Sequence, residues 1–273
     1  MSQTDGYVER WGSLPSSVRT ALGVIGSALS VIVFWKLVLS PLRWPDIGLV
    51  ASYFTQSMSD TDTYRALLMT GIRALCGFTV GFVLAVVLAV LTGRTILGWI
   101  FLFFGLLLLQ KIPAIAMVSV FVSSKLGIGF GMTVALSATV VTTFSWMVLH
   151  HRARTLSERE VFGLRLVGFS PLEAGLFGLL PHFGSTLGGT ARLGMAIALI
   201  MVVLGEWQGV WSGDTLWAQG LGIRISRNYE SIHSEARVLA SCLWLGLLGI
   251  IMDAGVQGAL LGVRRTAGVD LRR

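Results

Sequence analysis

Two short stretches, Ser157-Glu158-Arg159-Glu160 and Ser170-Pro171-Leu172-Glu173, have the residue types and spacing of helix caps. In each, the serine hydroxyl can accept a hydrogen bond from the N–H three residues on, while the glutamate reaches back to the serine N–H. Pro171 falls at a first helical position, where its missing N–H costs nothing. Gly168 lies between the two, where a helix closes on a left-handed residue, and Leu180-Pro181 is expected to end the second helix. Residues 157–181 therefore read as helix, sharp turn, helix: a stiff elbow, where a flexible loop would absorb displacement as entropy. Arg165 lies on the charged first helix. Elsewhere, Arg73, Lys111, Arg192, Glu206 and Asp253 stand in or near apolar runs. Ionisable groups there are costly in lipid and mark ion pairs, bundle interiors or watery paths. Lys111 adjoins Pro113, a helix breaker that frees backbone groups, and a cation at such a break suits an anion. Lys111, Pro113, Arg192 and Glu206 are the candidate lining of a path. Glu206 is expected to meet a basic group or to brace an outer gate, and Asp253 is offered as the partner of Arg73.

The elements that must position these groups follow from composition. The chain has 273 residues, 54% hydrophobic and only 13% charged, with a mean hydropathy of +0.76. Soluble domains carry about a quarter charged residues, so a polytopic, all-α membrane protein is expected. Six spans are predicted, at about 20–40, 64–92, 96–124, 129–149, 184–206 and 236–262, with the third interrupted at Lys111-Ile112-Pro113. The elbow then joins the fourth span to the fifth. An N-terminal segment (1–59) with the first span, a main transmembrane unit (60–262) and a basic tail (263–273) make up the chain. No cleavable leader is expected, because a polar start runs into a segment long enough to span.

Lys and Arg crowd one set of loops: Arg10, Arg19, Arg94, Arg152, Arg154, Arg159, Arg165, Arg264 and Arg265 lie on one side. That side is read as cytoplasmic, with both termini and the elbow on it. A basic inner face accounts for the net charge of +7 without a nucleic-acid partner. The two cysteines, Cys76 and Cys242, are read as small packing residues. His150-His151 is read as an interfacial basic pair, since adjacent histidines point apart on a helix. Trp99, Trp146, Trp207 and Trp244 are read as part of an interfacial belt. No paired carboxylates, nucleophile with base, or metal-ligand cluster suggests a membrane enzyme. The internal repeats common in stand-alone secondary transporters are not visible either.

The order Gly168, Leu180-Pro181, Gly189, Arg192-Leu193-Gly194 and a distant Glu206 resembles the cytoplasmic signature loop of binding-protein-dependent ABC importer permeases. The likeness is greatest to the branch handling nitrate, sulfonates, taurine and bicarbonate. It extends to the break at Lys111-Ile112-Pro113 and to Leu126-Gly127-Ile128-Gly129, covering about residues 60–262. The signature Glu-Ala-Ala falls near Phe162-Gly163-Leu164, so its glutamate is missing here, and Glu160 stands two residues earlier. The resemblance implies an inner-membrane permease subunit of a bacterial importer, not itself an enzyme. Its partners would be a second permease subunit, two ATPases binding ATP and Mg, and an external binding protein delivering a small anion. The elbow (Ser157, Glu160, Arg165, Gly168, Ser170, Pro171, Glu173, Leu180, Pro181) would be the coupling helix seated on an ATPase. The chain carries no G-x-x-x-x-G-K-[ST] loop to cradle phosphates, so ATP hydrolysis would belong to another chain.

Overall fold

Asp46 precedes an apolar repeat of Ile47, Val50 and Phe54, and its side chain accepts from the Gly48 N–H to start helix α1 (Ile47–Ser57). A computed structural model of the chain describes residues 45–94, 99–123, 129–155, 165–208, 219–229 and 234–266, with isolated positions 18, 25–27, 29–30, 32–33, 162 and 163. After α1 come α2 (Thr61–Arg94), a π-helical turn (Trp99–Phe103), α3 (Phe104–Lys111), α4 (Ala114–Ser123), α5 (Phe130–Thr155), α6 (Pro171–Gln208), α7 (Leu221–Tyr229) and α8 (Ser234–Thr266). No strand occurs among the described residues.

Four helical stretches among the described residues are long and apolar enough to cross a membrane: Thr61–Gly93, Phe130–Arg152, Thr186–Gln208 and Glu235–Gly262. They coincide with the second, fourth, fifth and sixth expected spans. The first expected span lies mostly outside the described residues. The third is divided where the sequence placed the break. Ile112 is extended, with ψ 124°, because the Pro113 ring crowds an α-helical predecessor. The Pro113 carbonyl then accepts from the Ala116 and Met117 N–H groups at 2.9 and 3.2 Å. The resulting α3 and α4 lie on either side of the break, described over 8 and 10 residues.

Helix α5 is the axis of the bundle: 67% of its spanning stretch is buried, against 17% for α8. Its seam with α2 rests on small residues. A Cβ on Gly77 would lie 2.5 Å from Ser137 Oγ, and one on Gly81 2.6 Å from the Ala138 carbonyl oxygen. This G-x-x-x-G spacing lets the two backbones approach, the device that substitutes for hydrophobic drive between helices in lipid. Ala74, Val141, Ala198 and Val202 fill the junction of α2, α5 and α6. Met117 and Val118 of α4 pack on Leu136 and Val140 of α5 and on Met201 of α6.

Three expectations are corrected. Leu180-Pro181 does not end a helix; α6 runs unbroken through it for 38 residues. A proline inside a helix removes one hydrogen bond, here to the Phe177 carbonyl, and flanking apolar turns can carry the helix past it. Trp146 is core and not belt, 1% exposed, donating its indole N–H to Thr92 Oγ1 at 2.9 Å. His150 is buried beside it, with Nδ1 2.8 Å from the same Thr92 hydroxyl and its ring against Phe103 and Trp146. An interior polar pair near the C-terminal ends of α2 and α5 replaces the expected interfacial histidine.

Candidate functional site

Where the start of α2, the end of α6 and the start of α7 meet, a carboxylate and a guanidinium are wholly enclosed. Arg73 and Glu206 have side chains 0% exposed. Arg73 Nη1 donates to Glu206 Oε1 and to the Gln219 carbonyl at 2.9 Å. Thr70 Oγ1 donates to the same carboxylate at 2.9–3.0 Å. The first turn of α7 completes the cluster. The Gly222 N–H donates to Glu206 Oε2 and the Leu221 N–H to Thr70 Oγ1, both at 2.9 Å. A helix N-terminus with free N–H groups favours an anion, which is why α7 seats on Glu206. Glycine is required there: a Cβ on Gly220 would come within 2.4 Å of the Glu206 carboxyl carbon, and one on Gly222 within 2.3 Å of the Val203 carbonyl. The arrangement is a latch that ties the 219–222 segment to two spans.

A second tie holds α7 to the start of α2. Asp60 caps α2, accepting from the Asp62 N–H and Thr63 Oγ1 at 3.0 Å each, and takes a 2.7 Å hydrogen bond from Arg224 Nη2. Burial pushes the Asp60 carboxyl up. The hydrogen bonds from Arg224, Asp62 and Thr63, together with the Arg224 charge, outweigh that and hold it below its ordinary value of 3.8. The contribution to stability is then complete above about pH 4 and is lost as pH falls through the depressed value. The pair is 28% and 36% exposed, so about 0.5 kcal/mol is expected. Thermal midpoints of the wild type and Asp60→Asn, measured from pH 7 to pH 3, should differ at the top of this range and converge at the bottom. A gap that stays constant with pH overturns the assignment.

At the opposite end of α6, the second expected cap forms. The Ser170 N–H donates to Glu173 Oε2 at 2.9 Å, and the Glu173 N–H to Ser170 Oγ at 3.3 Å. The Ser170 hydroxyl and then its N–H hold the Glu173 carboxyl below its usual range. Immediately before it the chain turns at Val167-Gly168. Gly168 has φ +97°, a conformation that disfavours a side chain, and its N–H donates to the Arg165 carbonyl at 3.0 Å. Arg165 is exposed, as are Phe162, Leu166 and Val167, at 61, 72 and 77%. Ser157 and Glu160, the first expected cap, lie outside the described residues. Pro171, Leu180 and Pro181 lie within α6.

Because α6 is continuous, the Ser170/Glu173 cap and the latch sit at the two ends of one rod. Its 38 residues correspond to about 57 Å at 1.5 Å per residue.

The four expected path residues do not converge. Glu206 is committed to the latch. Arg192, 14 residues earlier and about 21 Å down the helix, makes a two-pronged ion pair with Asp253 of α8, Nε to Oδ1 at 2.6 Å and Nη2 to Oδ2 at 2.8 Å. The expected Arg73–Asp253 pair is therefore replaced by two others, Arg73–Glu206 and Arg192–Asp253. Lys111 is exposed at the end of α3 beside Pro113 and shares no hydrogen bond or ion pair with Arg192 or Glu206 among the described residues. Sequence reading missed Thr70, Gly220, Gly222 and all of α7. The signal available was Gly220-Leu221-Gly222 opening an amphipathic stretch. Among the described residues no three His, Cys, Asp or Glu side chains gather as metal ligands.

Among the described residues the chain is all-helical, with four helices long and apolar enough to cross a membrane, a buried charge latch at one end of α6 and the Ser170/Glu173 cap at the other. No protein-family model and no curated protein matches the chain.

Proposed function

We propose that this chain is the transmembrane permease subunit of an ATP-driven importer, in a bacterial inner membrane with the elbow and both termini cytoplasmic. The observation that carries the reading is the unbroken α6, which starts at the Ser170/Glu173 cap and ends on the Glu206 latch. A rigid rod transmits displacement along its length. A force on the elbow would reach the segment tied to Glu206 without being dissipated in a hinge. The exposed Phe162, Leu166 and Val167, set around a glycine turn with Arg165 alongside, suit the apolar groove of a partner that moves with nucleotide. That partner would be an ATPase carrying ATP and Mg. A second permease copy or homologue would complete the path, and an external binding protein would supply a small anion. Lys111 and Pro113, at the broken segment, remain the residues proposed to line that path.

The test is contact and coupling. A photo-crosslinking residue at Val167, 77% exposed, should capture a nucleotide-binding subunit in the assembled membrane complex. Gly168→Val forces a β-branched residue into the left-handed region, at about 1–2 kcal/mol. If the turn deforms to escape that strain, ATPase docking should weaken by about tenfold, with membrane insertion unchanged. Crosslinks to lipid alone, or transport by the purified chain in liposomes without an ATPase, would defeat the reading.

A further inference from the structure

Beside the latch, between α1, α7 and α8, lies an open cavity of about 500 Å³. One wall is aromatic and fixed. Trp244 lies tilted against Phe54 at 4.9 Å and edge-on to Tyr64 at 5.8 Å, and its indole N–H donates to Ser57 Oγ at 2.7 Å. The lining also carries cations, Arg224 of α7 and Arg237 of α8. Arg224 is already joined to Asp60, whose two oxygens are each occupied by hydrogen bonds. Arg237 differs: its guanidinium lies over the Tyr53 ring, 5.0 Å from the centroid, and makes no hydrogen bond or ion pair among the described residues. A planar fork of five N–H donors, held flat by an aromatic ring and facing a cavity with no free carboxylate, matches a planar or tetrahedral oxyanion. The lining charge, two arginines against one aspartate, is positive.

We propose that this cavity is a binding site for a small organic oxyanion, its carboxylate, sulfonate or phosphate oxygens on Arg237 and its carbon portion against Trp244. Asn228 and Ser241, hydrogen-bonded to each other at 3.0 Å, line the floor within reach of a further oxygen. The same oxyanion chemistry is offered by a free solute and by a lipid headgroup phosphate, and the cavity opens where α8 begins its crossing. The site is independent of the importer reading, because binding to it requires neither an ATPase nor transport.

The experiment uses the full chain purified in detergent. Methanesulfonate, benzoate and inorganic phosphate are titrated at constant ionic strength against chloride, with binding read by intrinsic tryptophan fluorescence. Copurified lipid is measured by mass spectrometry. A soluble source predicts saturable binding of at least one probe, weakened about tenfold or more in Arg237→Gln. A headgroup source predicts instead an anionic phospholipid retained by the wild type and lost from Arg237→Gln. Arg65→Gln, at an exposed arginine paired with Asp62 outside the cavity, should leave either signal intact. Asp60→Asn, which frees Arg224 and adds positive charge, should tighten probe binding or lipid retention, a gain that misfolding cannot mimic. The proposal is overturned if no probe binds and no lipid is retained, or if the signal survives Arg237→Gln, or if Asp60→Asn weakens it.

Discussion

Glu206→Ala is expected to destabilise the folded chain by about 3–5 kcal/mol, the cost of breaking a buried ion pair by removing one partner. The carboxylate is completely enclosed and receives three donors from two elements: Thr70 and Arg73 of α2 and the Gly222 N–H of α7. Removing it takes the charge from in front of a guanidinium that has no exposed surface and strands the Gly222 N–H at the start of α7. Glu206→Gln should be nearly as damaging, because its amide NH₂ would face other donors. The informative variant is Arg73→Met with Glu206→Leu. A buried pair replaced by apolar groups of similar volume is often close to neutral, so the double variant should be more stable than either single one. Unfolding monitored in micelles, with all four proteins compared as a cycle, measures this coupling. Single-variant losses that simply add would mean the two charges act independently and no latch exists.

What was legible beforehand divides by sequence distance. The Ser170/Glu173 cap and the Gly168 turn are local, set within a few residues, and both formed as read. The Pro113 break is equally local: a ring clash with the preceding residue decides it. The four long apolar helices among the described residues needed only runs of apolar residues. The pairing of charges was not local. Arg73 and Glu206 are 133 residues apart, and Arg192 and Asp253 are 61, so four ionisable groups in apolar runs allowed several matchings and nothing in the string selected one. Helix α7 was hidden for a related reason. Its nine residues are too few to hold together alone, and what fixes their start is a carboxylate on another helix. Pro181 was misread because a rule suited to isolated helices was applied where the neighbouring turns are apolar and helical on both sides. α1 could have been found: Asp46 followed by apolar residues at a spacing of three and four is a helix start.

Gly81→Ala is the second large effect, and it tests the seam that holds the latch in register. An added Cβ would stand 2.6 Å from the Ala138 carbonyl oxygen, 3.0 Å from Ala138 Cα and 2.9 Å from Val141 Cβ. None of these can rotate away, since two are backbone and the third is the branch point of a valine. Helices α2 and α5 must therefore separate, at a cost of about 1–3 kcal/mol for overpacking. The bond from Thr142 Oγ1 to the Gly81 carbonyl, 3.1 Å, would lengthen and add about 0.6 kcal/mol. Gly246→Ala is the control: nothing lies within 4 Å of a Cβ there, and the better helix former should be neutral or stabilising by up to about 1 kcal/mol. Arg73 sits eight residues before Gly81 on the same helix, about 12 Å away. A displaced α2 would carry Arg73 away from Glu206, so part of the Gly81→Ala loss would be loss of the latch itself. Gly81→Ala combined with Glu206→Ala should consequently cost less than the sum of the two. A strictly additive result would show that the seam can open without disturbing the charges above it.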